Sequence, residues 1–232
     1  MTMLATRPLN AEPFAAAKVR IIEGEQGSGK SITGVAKIVD AYHYDCVRIF
    51  CAEHNIRCIV KAYDPKTMIV KIKQNGNLKL FKIPSYYKLH SPMRIFCNFH
   101  LYGIPYVYCN SFKQILGWLK QGIINNGKLV IDEYYIGANA RESMSALGRE
   151  LEKQSFQYRK MQLEVTFITP MARLIDWTAR IIPTERIACE YDEKTGYVTL
   201  TIKKKGRKGS REVTFDSKPY RRYYWTNERI NA

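Results

Sequence analysis

Eight residues near the amino terminus, Gly24 to Ser31 (GEQGSGKS), constrain this chain more than any other stretch. They satisfy G-x-x-x-x-G-K-[ST] at every defined position. They also lie between a short β-branched run, Lys18 to Ile22, and a segment with helical spacing through Ile32, Val35, Ala36 and Val39. Strand, glycine loop, helix is the order in which this motif works. Its glycines let backbone N–H groups turn inward on a phosphate, and the following helix directs the positive end of its dipole at the same anion. Gly24, Glu25, Gln26, Gly27, Ser28, Gly29, Lys30, Ser31 and Ile32 are therefore the candidate nucleotide-binding residues. Lys30 is expected to reach the β- and γ-phosphates of ATP, and Ser31 to ligate Mg2+.

A second motif lies downstream. Leu129-Val130-Ile131-Asp132-Glu133 is an apolar run ending in two carboxylates, the pattern of a strand buried on both faces of a parallel sheet. Ligands gather at the carboxyl end of such strands. Asp132 is placed to hold Mg2+ and Glu133 to polarise an attacking water, which argues for hydrolysis beyond binding.

Strands and helices in alternation around these motifs predict an α/β fold, a mostly parallel sheet flanked by helices. The expected core spans residues 18–185, preceded by an N-terminal arm over 1–17 with Pro8 and Pro13. The first helix is read from Lys30 to Tyr42. Between residues 51 and 92 the pattern changes: Arg57 to Tyr63, Met68 to Lys73 and Leu78 to Ile83 alternate, separated by Asp64-Pro65 and Asn75-Gly76-Asn77. This is the chemistry of hairpin turns and predicts a small β-rich insertion. The α/β rhythm returns with a strand at Met93 to Asn98 and a short one at Tyr106 to Cys109. A helix capped by Ser111, a helix from about Glu142 to Arg159 and a strand at Glu164 to Thr169 complete it. Residues 186–232 read as a β-hairpin extension, with turns at Lys194-Thr195-Gly196 and Gly206 to Gly209 and an aromatic, basic tail, Tyr220 to Trp225.

Charge narrows the partners. The 37 Lys and Arg exceed the 21 Asp and Glu, for a net +16, and such a field attracts polyanions, nucleic acid first and anionic membrane second. The six cysteines form no C-x-x-C pair, so no zinc site is expected and the thiols are read as free and partly buried. No apolar run has the length of a transmembrane helix.

Further residues resemble the FtsK/HerA superfamily of P-loop ATPases, and within it the genome-packaging ATPases of membrane-containing icosahedral viruses, especially archaeal ones. The resemblance runs from Ile21 to about Arg180, outside the insertion. It is carried by the phosphate loop, Asn98 with His100 to Tyr106, the Asp-Glu strand, Ala140 to Ser145, Gln157-Tyr158-Arg159-Lys160, and Leu174-Ile175-Asp176 with Arg180. It implies an ATP-driven motor translocating double-stranded DNA into a capsid, in the host cytoplasm or at the packaging vertex with capsid or membrane proteins. It also implies a homo-oligomeric ring, pentamer or hexamer, in which an Arg completes the neighbour's site. Arg141 and Arg159 lead as candidates, with Arg149 and Arg180 behind them. The sequence departs from the pattern at Thr169-Pro170, where such proteins commonly carry a Gln that senses the γ-phosphate; Thr169 is the candidate replacement.

Lys203, Lys204, Lys205, Arg207 and Lys208 form a basic, glycine-containing turn suited to DNA phosphates without reading sequence. Lys218 to Arg222 is a second basic cluster; Tyr223, Tyr224 and Trp225 either stack on bases or pack onto the domain. Alternatives are a Zot-like phage-assembly ATPase, a plasmid conjugation or partition ATPase, and a nucleotide-regulated DNA-binding or scaffold protein with slow hydrolysis.

Overall fold

The computed structural model describes residues 19–64, 67–87, 89–91, 93–133, 158, 160–171 and 183–224. They divide into two compact units, residues 37–93 in one and the described residues on either side in the other. The expected N-terminal arm, the expected helix from about Glu142 to Arg159 apart from Tyr158, Leu174 to Arg180, and Trp225 lie outside the described residues.

The larger unit is built on eight strands: β1 (Val19–Glu23), β5 (Arg94–Cys97), β6 (Val107–Tyr108), β7 (Gly127–Ile131), β8 (Leu163–Thr169), β9 (Glu185–Asp192), β10 (Tyr197–Lys204) and β11 (Arg211–Asp216). Their order is β11-β10-β9-β1-β8-β7-β5-β6. From β9 to β6 every pairing is parallel, and β10 and β11 add an antiparallel edge. The predicted α/β, mostly parallel sheet is what forms. The 186–232 segment is joined to it more closely than a separate extension suggests. β9 pairs with β1 from Arg20↔Glu185 to Glu23↔Ala188, making it a parallel strand of the same sheet.

Alternation along the strands divides the apolar side chains between two faces. Val19, Ile21, Leu129, Ile131, Val165 and Phe167 form one buried cluster with Ile115 and Leu119 of α2 (Phe112–Lys120). The predicted cap is present, because Ser111 Oγ accepts from the Gln114 N–H at 3.2 Å. Such a cap is worth about 1 kcal/mol. On the other face lies the start of α1 (Lys30–Glu53). At Gly34 an added Cβ would meet Ile168 Cδ1 at 2.6 Å and Val130 Cγ1 at 3.6 Å, so the glycine brings helix backbone close to β7 and β8.

At the amino ends of the parallel strands a row of charges crosses five neighbours. Lys128 on β7, Glu164 on β8, Arg20 on β1, Glu185 on β9 and Lys204 on β10 alternate in sign and pair in turn. Arg20 Nε lies 2.6 Å from Glu185 Oε2, and Lys204 Nζ lies 3.4 Å from Glu185 Oε1. Arg20 and Lys128 are buried, so each charge depends on its neighbour for the solvation that water no longer supplies. Lys204, a DNA candidate by sequence, belongs to this row.

In the smaller unit α1 continues to Glu53, eleven residues beyond the predicted end at Tyr42. Val47, Phe50 and Cys51 keep helical spacing and are buried with Val60, Val70, Ile72 and Ile83. Packing thus carries the helix through an aromatic run that local preference disfavours. β2 (Ile59–Asp64), β3 (Ile69–Gln74) and β4 (Asn77–Lys82) form an antiparallel sheet in the order β2-β3-β4, as the turn residues predict. All six cysteines are free thiols and five are buried.

Candidate nucleotide-binding site

The loop between β1 and α1 is cramped by design. Gly27 and Gly29 have φ of 78° and 83°, a backbone region that side chains disfavour. At Gly24 a Cβ would lie 2.4 Å from Ser28 Oγ and 2.8 Å from the Cys189 carbonyl, leaving no room for any other residue. Gly29 sits against Val198 on β10, so the C-terminal strands form one wall of the loop. The Gly24 N–H donates to Pro170 O at 3.2 Å, tying the loop to the end of β8.

Lys30 Nζ donates to the Glu25 carbonyl at 2.6 Å, which holds the ammonium across the loop. The Ser31 hydroxyl lies near enough to the Asp132 carboxyl to favour its charged form, which brings together the two residues that sequence assigns to Mg2+ from positions about a hundred residues apart. Asp132 is 8% exposed. Burial pushes its carboxyl up to about 6, against the opposing effects of the Ser31 hydroxyl, the Glu133 N–H and Lys30.

Asp132 is aimed by a residue whose role the sequence does not reveal. Asn98, just beyond β5, donates from Nδ2 to Asp132 O at 2.8 Å, and its Oδ1 accepts from the Asp132 N–H at 2.7 Å. This two-way clamp fixes the backbone where β7 ends. Next along, Glu133 has φ 52°, a left-handed conformation that strains a side-chain-bearing residue by about 1 kcal/mol or more. Its N–H donates to Asp132 Oδ1 at 2.8 Å, while its Oε2 is buried with no hydrogen-bond partner among the described residues.

Thr169 ends β8, opposite Glu23 of β1, and is fully buried. Its hydroxyl donates to Met171 O at 3.2 Å, an engagement within its own strand end. Arg141, Arg149, Arg159 and Arg180 lie outside the described residues.

The residues fit ATP and Mg2+. Ser31 and Asp132 offer the oxygen ligands that a hard cation takes. The glycine cradle admits an anion where a Cβ would not fit, and Ser28 Oγ, like Glu133 Oε2, is buried without a hydrogen-bond partner among the described residues. Unmatched buried polar groups of this kind are rare unless a ligand completes them.

No protein-family model and no curated protein matches the chain. Among solved structures it is similar to the N-terminal domain of zonular occludens toxin from Neisseria meningitidis, with TM-score 0.52 and 16% identity over 91% of this chain and 100% of that one. It is also similar to the RadB recombinase, with TM-score 0.48 and 10% identity over 86% of each chain. The fold is that of the P-loop nucleoside triphosphatases. Within this P-loop fold the phosphate loop and Asp132 stand on strands that are not neighbours, with β8 and its terminal Thr169 between them.

The carboxyl edge of the sheet has one further component. After β11 a short 3-10 helix, Lys218–Tyr223, buries Tyr220 and Tyr223, so these aromatics of the tail pack onto the domain. Tyr224 then forms an antiparallel bridge with Leu101, beyond β5. Tyr102 N–H donates to Tyr223 O at 2.9 Å, and the Phe99 and Tyr224 rings meet edge-on at 5.4 Å. Segments following strands on opposite sides of the phosphate-loop strand are joined at the edge where the loop lies. The basic turn is at the other end: Lys204, the last residue of β10, pairs with Glu185, the first of β9. There Lys203, Lys205, Arg207 and Lys208 are exposed.

Proposed function

We propose that this protein is a Mg2+-dependent ATPase that works on double-stranded DNA. The observation that carries the hydrolytic part is the buried Asp132 carboxyl with the Ser31 hydroxyl near it, beside a Glu133 Oε2 that is buried and has no hydrogen-bond partner among the described residues. ATP bound at the loop supplies the phosphoanhydride bond, and Mg2+ neutralises its oxygens. Backbone N–H groups of the loop and Lys30 hold the phosphates, and Ser31 and Asp132 hold the metal. Glu133 Oε2 would accept a proton from the water whose oxygen bonds the γ-phosphorus as the bond to the β–γ bridging oxygen breaks, leaving ADP and phosphate. Asn98 keeps both carboxylates in place. The DNA part rests on the net charge and on the exposed cations of the β10–β11 turn, and the proposed use is translocation, with packaging of a viral genome into a capsid by a homo-oligomeric ring as the fullest form.

A Zot-like assembly ATPase is the second reading, favoured by the overlay on the whole zonular occludens toxin domain. Glu133→Gln distinguishes hydrolysis from binding alone. ATP binding is expected to persist while turnover falls by about 10²–10⁴-fold, and unchanged turnover would remove Glu133 from the mechanism. Turnover measured with and without duplex DNA tests the load; a motor accelerates on the duplex.

A further inference from the structure

The small sheet β2-β3-β4 has an inner face buried by α1 and an outer face that breaks the usual pattern. In register, the outer rows read Ile59–Lys73–Leu78, Ala62–Lys71–Leu80 and Asp64–Ile69–Lys82. A sheet face turned to solvent normally carries polar residues. Here Leu80 is 74% exposed, Leu78 59% and Ile59 57%, each beside a lysine in its row. The surrounding segment, residues 57–90, holds eight Lys and Arg and one acid, Asp64. An open depression lined by Arg57, Lys61, Lys73 and Ile59 adjoins the first row.

Charge and apolarity in one patch select the partner. A nucleic-acid duplex supplies phosphates but no apolar phase for Leu78 and Leu80; the exposed cations of the β10–β11 turn, which carries no apolar residue from Lys203 to Lys208, suit that role better. An anionic bilayer supplies both, phosphate and carboxylate headgroups for the lysines and acyl chains just beneath for the leucines. Long lysine stems allow the ammonium groups to stay at headgroup level while the apolar side chains go deeper. We infer that the outer face of β2-β3-β4 docks on anionic phospholipid membranes, with Lys71, Lys73 and Lys82 at the headgroups and Ile59, Leu78 and Leu80 inserted among them.

The test is co-sedimentation of the full chain with vesicles of phosphatidylcholine, with or without phosphatidylserine, at about 150 mM salt, where long-range attraction is screened. Binding is expected to the phosphatidylserine vesicles and to be at least tenfold weaker to phosphatidylcholine alone. Lys71→Gln with Lys73→Gln and Lys82→Gln is expected to weaken it by roughly a hundredfold, at about fivefold per lysine. Leu78→Ser with Leu80→Ser is expected to weaken it by about tenfold or more, with unchanged far-ultraviolet circular dichroism and unchanged duplex binding. Failure to bind phosphatidylserine vesicles overturns the inference, as does vesicle binding that the leucine pair leaves intact. Loss of duplex binding in the leucine pair assigns the face to nucleic acid instead, and a drop in sedimenting mass assigns it to self-association. ATP turnover of these variants is recorded in parallel, so that a failed nucleotide assignment and a failed membrane assignment are told apart.

Discussion

The carboxyl edge of the large sheet and the outer face of the small one break the same rule in opposite directions. At the first, polar groups are withdrawn from water: Asp132 and Thr169 are buried, and Ser28 Oγ and Glu133 Oε2 have no partner among the described residues. At the second, Leu78, Leu80 and Ile59 are pushed into water. Ordinary folding explains neither, because a buried polar group wants a hydrogen bond and an exposed aliphatic patch wants cover. Each departure is what a ligand site leaves in the free protein, and the two proposals above supply the ligands: an anion with its metal in one case and an apolar phase behind a charged surface in the other.

The comparison breaks most sharply at Lys30. With ATP and Mg2+ at about a hundred times the dissociation constant, ligand binding adds about 2.7 kcal/mol to stability. For a chain of this size that is a rise in Tm of roughly 5–10 °C. Lys30→Ala is expected to abolish that rise in differential scanning fluorimetry and to leave vesicle binding as it was; loss of both would tie the two surfaces into one. Asn98→Ala, which removes both arms of the clamp on Asp132, is expected to lower kcat by about 10- to 100-fold with a smaller change in KM. A purely structural Asn98 would show lowered Tm with normal kcat.

A third prediction concerns the cost of the buried charge without ligand. The carboxyl of Asp132 is raised from 3.8 to about 6, so its contribution to stability is full below pH 3.8 and is lost as the pH rises through 6. Asp132→Asn is therefore expected to stabilise the nucleotide-free protein at pH 8 by up to about 3 kcal/mol. The gain should shrink towards nothing as the pH falls below the wild-type value, and a gain independent of pH would refute the burial argument. Smallest of all is the expected effect of Leu78→Ser with Leu80→Ser on stability. Exposed substitutions stay within about 0.5 kcal/mol, so an urea midpoint displaced well beyond that would show these leucines to be packed in solution.

What the sequence reveals follows from how local each feature is. The phosphate loop is contiguous, and its glycines and Lys30 occupy positions that one strand–loop–helix unit fixes; the Asp132-Glu133 strand is nearly as local. The Asn98 clamp joins residues 34 apart in sequence across two strands, and nothing about an isolated Asn announces it. The end of α1 is misjudged because Tyr42-His43-Tyr44 reads as a poor helix, whereas Val47, Phe50 and Cys51 are committed by burial against the small sheet. Lys204 resembles its neighbours in a basic run, yet strand parity turns it towards Glu185 and away from Lys203. Alternation likewise predicts β9 as a strand but is silent on its parallel partner, β1.

The Leu101–Tyr224 bridge sets a tether length. Leu101 is three residue steps from Asn98, and an extended chain covers about 3.3–3.6 Å per step. Leu101 can therefore lie no more than roughly 10 Å from Asn98, and with the bridge intact a displacement of Tyr224 that draws Leu101 beyond that reach pulls on the clamp on Asp132. The position of Tyr224 is thus geared, through one short length of backbone, to the carboxylate that the proposed mechanism places on the metal.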